Sequence, residues 1–172
     1  MKRLYILRHA KAVTEAPGGD AARPLLKRGR KAAKAVAAFL GELEPLPELI
    51  LCSPAARTRE TLDLVLPALR PKPEVDYEDG LYLATAADLL ARLHSLPAKL
   101  GCVLLVGHNP GLHELAARLA TEPGRLAEGL PTAALVALES KGGWADFRWH
   151  KAQLALYRTP KDLKADPDRD ED

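Results

Sequence analysis

The run Cys102-Val-Leu-Leu-Val-Gly107 constrains the fold more than any other segment of the chain. Its six consecutive apolar residues leave no polar face, so a strand formed by them must be covered on both sides. Strands of this kind are typical of parallel sheets that carry helices on both faces. We therefore expect this run to be a central strand of an α/β domain.

Segments with helix-like and strand-like patterns alternate along the rest of the chain. The patterns predict strands at 3–8, 48–52, 74–77, 102–107, 132–138 and 144–150. They predict helices over 24–43, from Pro54 with Ser53 as N-cap, from a Thr85 N-cap to Leu93, and from Pro110. The last two strands should pair as a hairpin around the turn at 141–143. The expected fold is a three-layer α/β/α sandwich whose mostly parallel sheet has an antiparallel C-terminal edge.

Length and charge fit a single globular domain over residues 1–159, followed by an acidic tail at 160–172 that we expect to be disordered. The net charge of +2 gives no reason to expect a nucleic-acid partner. The tail holds six acids and three bases, a charge of −3 that leaves +5 on the remainder, which suits an anionic substrate. Cys52 and Cys102 lie in apolar runs and are expected to be buried free thiols.

The chain shows no signal for a membrane or for export. No apolar run approaches the ~18 residues of a membrane span, and no signal peptide precedes the first predicted strand. We therefore expect a cytoplasmic protein without a membrane partner. The sequence leaves the oligomeric state open.

Three predicted strands end in residues suited to phosphate chemistry. In open α/β sheets, ligands bind at the carboxyl ends of the strands, and two of these ends run into helix N-termini that attract anions. Arginine binds phosphate well, and histidine can act as a neutral nucleophile near pH 7. The strand ends therefore predict one phosphate site that combines four side chains: Arg8, His9, Arg57 and His108.

The motifs that contain these residues resemble those of the histidine phosphatase superfamily. Arg8-His9-Ala10 resembles its Arg-His-Gly signature, and Ser53–Thr61 resembles its Ser-Pro-x-x-Arg-x-x-x-Thr element. Gly107–Gly111 resembles the segment that carries its second histidine. Residues 20–30 and 131–135 are similar to the SixA-type phosphohistidine phosphatases within this superfamily. The resemblance extends from about residue 3 to about residue 158.

The resemblance implies a covalent mechanism that needs no metal and no cofactor. His9 would attack phosphorus and carry the phosphoryl group, while Arg8 and Arg57 hold its oxygens and His108 adds a further donor. Ser53 and Asn109 are secondary phosphate-binding candidates, and capping of the next helix is the other role open to Asn109.

Two positions depart from the superfamily pattern. Ala10 replaces the glycine after the nucleophile, which demands ordinary backbone angles there. The second departure concerns the carboxylic acid with which many members protonate an alcohol leaving group, for which this chain offers only Asp20, Glu78 and Asp79. Residues 81–84 are similar to those of the subgroup that lacks this acid.

A missing general acid favours a substrate that leaves without one. Phosphohistidine releases an imidazole, which leaves as a neutral molecule if its other nitrogen already holds a proton, whereas a phosphoester releases a poor alkoxide. We therefore predict hydrolysis of phosphohistidine on a protein, for example on a histidine phosphotransfer domain in signal transduction. The short segment between residues 54 and 101 leaves little room for a lid over a small substrate.

Two other functions remain open at this point. The first is a small-molecule phosphomonoesterase of the same superfamily, acting on a sugar or nucleotide phosphate. The second is a module that binds phosphoproteins without catalysis. A further interpretation concerns the basic row on the first predicted helix, which is either a solvated face or a docking surface for an acidic protein. Arg59, His94, His113 and His150 are assigned no catalytic role, and His150 is expected to end the last strand.

Overall fold

The computed structural model describes residues 1–163. Within that range the strands are β1 (Lys2–Arg8), β2 (Leu49–Cys52), β3 (Glu74–Tyr77), β4 (Cys102–Gly107), β5 (Leu135–Ser140) and β6 (Gln153–Arg158). The α-helices within it are α1 (Lys27–Leu40), α2 (Ala56–Val65), α3 (Ala86–His94) and α4 (Gly111–Leu119). None of the helices in this part of the chain has the length and apolar character needed to cross a membrane.

All six strands belong to one sheet with the order β3-β2-β4-β1-β5-β6. The first four strands in that order are parallel, whereas β5 is antiparallel to β1 and β6 is antiparallel to β5. Strand β4 lies between β2 and β1, and all six of its residues are buried. This confirms both the central position of the apolar run and the mostly parallel sheet with an antiparallel C-terminal edge.

Helices cover both faces of the sheet. Successive side chains of a strand point to opposite sides, so the apolar strands need a cover on each side. In β1, Leu4 and Ile6 pack with α3 and α4, while Tyr5 and Leu7 pack with α1 and α2. The two cores are therefore separated by the sheet, as the predicted α/β/α sandwich requires. Cys52 and Cys102 are free and buried, as expected.

The predicted hairpin at the C-terminus is wrong. Residues 144–146 form a single 3-10 turn, in which the buried Trp144 stacks on Phe147 with 5.4 Å between ring centroids. The aromatic residues that suggested a strand instead close one end of the core. Strand β6 is the true partner of β5, and His150 lies in the connection before it with a positive φ of 64°.

Tertiary contacts also move several predicted helix and strand ends. Helix α1 begins only at Lys27, because the Leu26 N–H donates to the Lys11 carbonyl (2.9 Å) and Leu25 pairs with Ala12. Helix α4 begins at Gly111, with Pro110 as its N-cap. Strand β5 begins three residues later than predicted, after Ala133 has turned back toward β1.

The predicted N-caps have different outcomes. Thr85 caps α3 as predicted, and its hydroxyl accepts from the Asp88 N–H at 3.1 Å. Ser53 is not the N-cap of α2; that position belongs to Ala55.

The first residues of the predicted tail make contacts with neighbouring residues and with Arg125. Residues 161–163 lie in a turn, the Asp162 carboxylate accepts from the Thr159 N–H (2.9 Å), and Arg125 pairs with Asp162 at 3.1 Å. Residues 160–163 therefore contact the rest of the domain, and the boundary at residue 159 and the disorder of the tail stay predictions. The rest of the predicted tail, residues 164–172, lies outside the described residues.

Candidate active site

The two histidines lie at the same edge of the sheet because β1 and β4 are parallel neighbours. Arg8 is in register with Gly107, so His9 and His108 follow at the same level. The His9 N–H donates to the Gly107 carbonyl (3.2 Å), and the two rings are 5.5 Å apart between centroids. Both rings are almost completely buried, with 6% exposure for His9 and 4% for His108.

A backbone contact fixes the tautomer of His9. Its Nδ1 lies 2.7 Å from the carbonyl oxygen of Ala10. A carbonyl can only accept, so Nδ1 must carry the proton and donate it. The lone pair of the neutral ring is then on Nε2, which is the atom available for attack on an electrophile.

Burial keeps both rings neutral at physiological pH. Desolvation lowers the pKa of His9 to about 3, and the positive charges of Arg8 and Arg57 act in the same direction. Desolvation lowers the pKa of His108 to about 4, with Arg57 again contributing. Arg8 and Arg57 thus both lower the pKa values of His9 and His108, so the charges of the two arginines are felt at both rings.

A serine hydroxyl determines which nitrogen of His108 carries its proton. Nε2 of His108 lies 2.7 Å from Oγ of Ser53, which also accepts weakly from the Ala55 N–H at 3.4 Å. Among residues 1–163, the Ser53 hydroxyl has no acceptor other than this nitrogen, so it donates to Nε2. His108 must then be protonated at Nδ1, and this buried atom has no partner among the described residues.

Each predicted arginine is anchored by its outer nitrogens. Arg57, 3% exposed, donates through Nη1 to the Asp20 carbonyl (2.8 Å) and through Nη2 to the Asp20 carboxylate (3.0 Å). Arg8 donates through Nη1 to the Leu130 carbonyl at 3.1 Å. In the described part of the chain, the buried Nε atoms of both arginines lack a partner. Unpartnered buried donors are costly, so an anion that bound to them would be stabilised.

Asn109 does not cap the following helix. Its side-chain amide donates to the Leu130 carbonyl (2.8 Å), the same oxygen that accepts from Arg8. Asn109 therefore holds the loop that orients Arg8, and the interpretation of Asn109 as a helix cap is wrong.

The three carboxylates predicted as acid candidates are not equivalent. Asp20 pairs with Arg57, Arg23 and the Tyr82 hydroxyl, and these partners, Tyr82 most strongly, hold its pKa well below its usual range. Glu78 forms two hydrogen bonds of 2.8 Å with Arg92, which lowers its pKa. Asp79 is exposed in a 3-10 turn.

Sequence reasoning missed Tyr82 and gave no role to Thr61. The Tyr82 ring packs edge-on against His108, with 5.5 Å between centroids, and its hydroxyl bonds to Asp20. The buried Thr61 hydroxyl accepts from the Ala10 N–H at 2.9 Å and fixes the backbone after His9. The motif that contains Thr61 was visible, but no local pattern indicates Tyr82.

The residues that were assigned no catalytic role make contacts of their own. Arg59 is exposed, with its guanidinium 4.1 Å above the Tyr77 ring centroid. His94 and His113 bond to the backbone carbonyls of Phe147 and Leu126, respectively. Among residues 1–163, no three His, Cys, Asp or Glu side chains are grouped as a metal ion would require.

Comparison with known proteins identifies the family. Residues 4–82 match the model of the histidine phosphatase superfamily (branch 1). A structure from Agrobacterium tumefaciens, assigned as phosphohistidine phosphatase SixA, is 30% identical and aligns over 92% of this chain and 98% of its own, with a TM-score of 0.79. A second structure with the same assignment, from Nakamurella multipartitia, is 30% identical and aligns over 92% of this chain and 96% of its own, with a TM-score of 0.77. This chain is a SixA-type member of the histidine phosphatase superfamily.

The family result confirms the resemblance predicted from the motifs and makes the chain a phosphatase. An uncharacterized protein of Mycobacterium tuberculosis extends the similarity, with 30% identity over 165 residues that cover 90% of this chain and 100% of that protein. The similarity to this SixA-type chain therefore extends over nearly the whole length of both proteins.

The neutral buried histidines predict a stability that depends on pH. A histidine ring has a pKa near 6.5 when unfolded, so in mild acid the unfolded state binds more protons and the folded state loses stability as pH falls. Between pH 7 and pH 5, the buried His9 should contribute a loss of about 2 kcal/mol in unfolding free energy. Denaturant titrations of the wild type and of His9→Gln at both pH values measure it. An equal loss in the two proteins would contradict the depressed pKa of His9.

Proposed function

We propose that this SixA-type phosphatase hydrolyses phosphohistidine on a protein substrate through a covalent phosphohistidine intermediate on His9. The observation that carries the proposal is the state of the carboxylates near the site. Asp20 is held ionised by Tyr82, Arg23 and Arg57, so it is a poor proton donor. Glu78 is engaged by Arg92. A leaving group that needs no proton suits such a site, and neutral imidazole is one.

The first step would transfer the phosphoryl group to the enzyme. Nε2 of His9 attacks phosphorus as the P–N bond to the substrate imidazole breaks, and the electron pair of that bond stays on the departing ring. The other nitrogen of the substrate ring already carries a proton, so the ring departs as neutral imidazole. Arg8, Arg57 and the Nδ1–H of His108 would donate to the equatorial oxygens, where charge is spread in the transition state. Their unpartnered buried donors support this role.

The second step would release phosphate. Water attacks phosphorus, the P–Nε2 bond breaks, and its electron pair returns to His9. The proton of the attacking water leaves with the phosphate or the solvent. Because Nδ1 stays protonated through its bond to Ala10, His9 departs as a neutral ring in this step as well.

Ser53 would act by positioning His108. Its hydroxyl donates to Nε2, and this keeps the proton of His108 on Nδ1, where it can face a phosphoryl oxygen. The opposite tautomer would direct a lone pair at the anion and weaken phosphate binding. We therefore assign Ser53 to the orientation of His108.

The rim of the site supports a protein substrate. Leu83, next to Tyr82, is 53% exposed and has a positive φ of 52°. A leucine with a positive φ is unfavourable, and strained backbone of this kind is typical of functional segments. The connection between β2 and β4 consists of α2, β3, α3, short 3-10 turns and loops. The absence of a further inserted element from this fully described connection supports a rim that is open to a large substrate.

A small-molecule substrate is the alternative that a specific observation favours. A cavity of about 420 Å³ begins at Lys11, two residues after His9, and is also lined by Arg125, Tyr157 and Lys161. A sugar or nucleotide phosphate could place its non-reacting part there. A binding module without catalysis fits less well, because burial maintains His9 in the neutral form that a nucleophile requires.

A substrate panel in EDTA tests the proposal. A phosphorylated histidine phosphotransfer domain, as expected in cytoplasmic signalling, is compared with sugar and nucleotide phosphates, with His9→Ala as the control. We expect kcat/KM for the phosphoprotein to exceed that for each metabolite by at least about tenfold, because only the esters need an acid. A preferred metabolite would support the alternative, and loss of activity in EDTA would contradict the metal-free mechanism.

A further inference from the structure

The first two turns of helix α1 carry exposed cations that the proposed reaction does not use. We call this set the basic face of α1: Lys27, Arg28, Arg30, Lys31 and Lys34. The helix contains no Asp or Glu. Among the ion pairs formed within residues 1–163, none involves Lys27, Arg28 or Lys34. The positive charge of the face is therefore not balanced by the helix itself.

This arrangement is unfavourable for the helix alone. The N-terminus of a helix is the positive end of its dipole, yet Lys27 and Arg28 occupy its first turn. Arg30 and Lys34 are four residues apart, a spacing at which like charges repel. Local features that lower the stability of a helix are typical of functional surfaces, and an anionic partner would offset both effects.

The basic face lies beside the proposed nucleophile. The Lys11 carbonyl accepts from the Leu26 N–H at 2.9 Å, immediately before the first residue of α1. A Cβ added to Gly29 would lie 2.1 Å from the same carbonyl, so the first turn of α1 packs directly on Lys11. The chain steps from His9 to Lys11, across to Leu26 and on to Lys27 therefore limit the distance between the Cα atoms of Lys27 and His9 to about 16 Å.

We propose that the basic face of α1 docks an acidic surface of the phosphoprotein substrate. The inference rests on the proposed function, since a phosphohistidine that reaches His9 brings the surrounding protein surface within reach of α1. A partner carrying carboxylates would gain charge-assisted contacts there and would be steered toward the site. Free phosphohistidine is too small to use the face.

A charge reversal separates docking from folding. Lys27→Glu/Arg28→Glu places acids at the helix N-terminus, which should stabilise α1 while it removes the attraction for carboxylates. The matched control is Lys99→Glu/Lys141→Glu. This control changes the net charge by the same amount, and both of its positions are exposed. They follow or lie near the amino end of β1, where Lys2 pairs with Ser140, whereas His9 follows the carboxyl end of β1.

Two phosphohistidine peptides serve as probes, identical except that one carries Glu and the other Gln at about three to six residues from the phosphohistidine, a separation that spans the distance to α1. At about 50 mM salt we expect the wild type to show a KM at least about fivefold lower for the Glu peptide. This preference should fall to about twofold or less at about 500 mM salt, where the Debye length is only a few ångströms.

The Lys27→Glu/Arg28→Glu variant should lose the preference and keep its rate on the Gln peptide, whereas the control pair keeps both. A preference that persists in this variant, or that is equally lost in the control pair, overturns the proposal. If neither peptide is hydrolysed, the proposed function fails. Docking is then measured separately, by fluorescence anisotropy of the labelled unphosphorylated Glu and Gln peptides with His9→Ala.

Further arms of the same experiment distinguish two other ligands that could bind the basic face of α1. A Glu preference that appears only after deletion of residues 164–172 assigns the face to the acidic tail of this chain, and it contradicts docking by the full chain. Equal binding of a random single-stranded oligonucleotide, lost in the same charge-reversal variant, indicates general polyanion binding and also contradicts the proposal.

Discussion

His9→Ala is expected to lower kcat on phosphohistidine protein by on the order of 10⁴-fold or more, because it removes the only proposed phosphoryl acceptor. The buried donors of Arg57 and His108 remain, so phosphate binding should weaken much less than turnover. Single-turnover measurements with ³²P-labelled substrate should show an acid-labile, base-stable phosphoenzyme in the wild type and none in the variant.

The control for this experiment is His150→Asn. His150 is exposed, lies outside the catalytic cluster and has a positive φ, which asparagine tolerates better than alanine does. This variant should retain wild-type kcat within about twofold, as expected for a surface substitution away from the site. A labelled phosphoenzyme that survives His9→Ala would reject His9 as the nucleophile.

Arg57→Ala is expected to reduce kcat/KM by about 10²- to 10³-fold, the usual cost of removing one buried donor from a developing negative charge. Arg57 is almost fully buried and offers its Nε to the site while Asp20 holds the other two nitrogens. Arg57→Lys should recover only part of the loss, because an ammonium cannot hold Asp20 and the phosphate with the same planar geometry.

Arg59→Ala is the matched control, since it removes the same side chain two residues along the same helix. Arg59 is exposed and stacks on Tyr77, so activity should change by less than about twofold. Steady-state kinetics on phosphohistidine protein, with denaturant curves to verify folding, measure both variants. Similar losses in Arg57→Ala and Arg59→Ala would show that positive charge in general, rather than the Arg57 contact, supports the reaction.

The sequence predicted the centre of the fold well, for a physical reason. A strand buried on both faces must be continuously apolar, so β4 was visible as a run. Parallel strands also deliver their carboxyl ends to a common edge, and this is why His9 and His108 could be expected together. Both inferences depend on local sequence patterns, and these patterns are compatible with few sheet topologies.

The partners of the site residues could not be predicted because they come from distant parts of the chain. Asp20 meets Tyr82 across 62 residues, and Ser53 meets His108 across 55. A serine before a proline and a helix resembles an N-cap in sequence, and only the fold shows that its hydroxyl is used by a histidine. The prediction of a strand at 144–150 was wrong for a related reason, because Trp144 packs against Phe147 at one end of the core.

The bond between Nδ1 of His9 and the Ala10 carbonyl has a consequence for the regiochemistry of the intermediate. Since only Nε2 has a lone pair, the proposed phosphoenzyme is a single isomer. The acceptor of the bond is a backbone atom, so a change of side chain at position 10 does not remove it. The transfer also exchanges one phosphorylated imidazole for another, so the P–N bond that forms is of the same kind as the one that breaks. Dephosphorylated product could then regain the phosphoryl group before water consumes it.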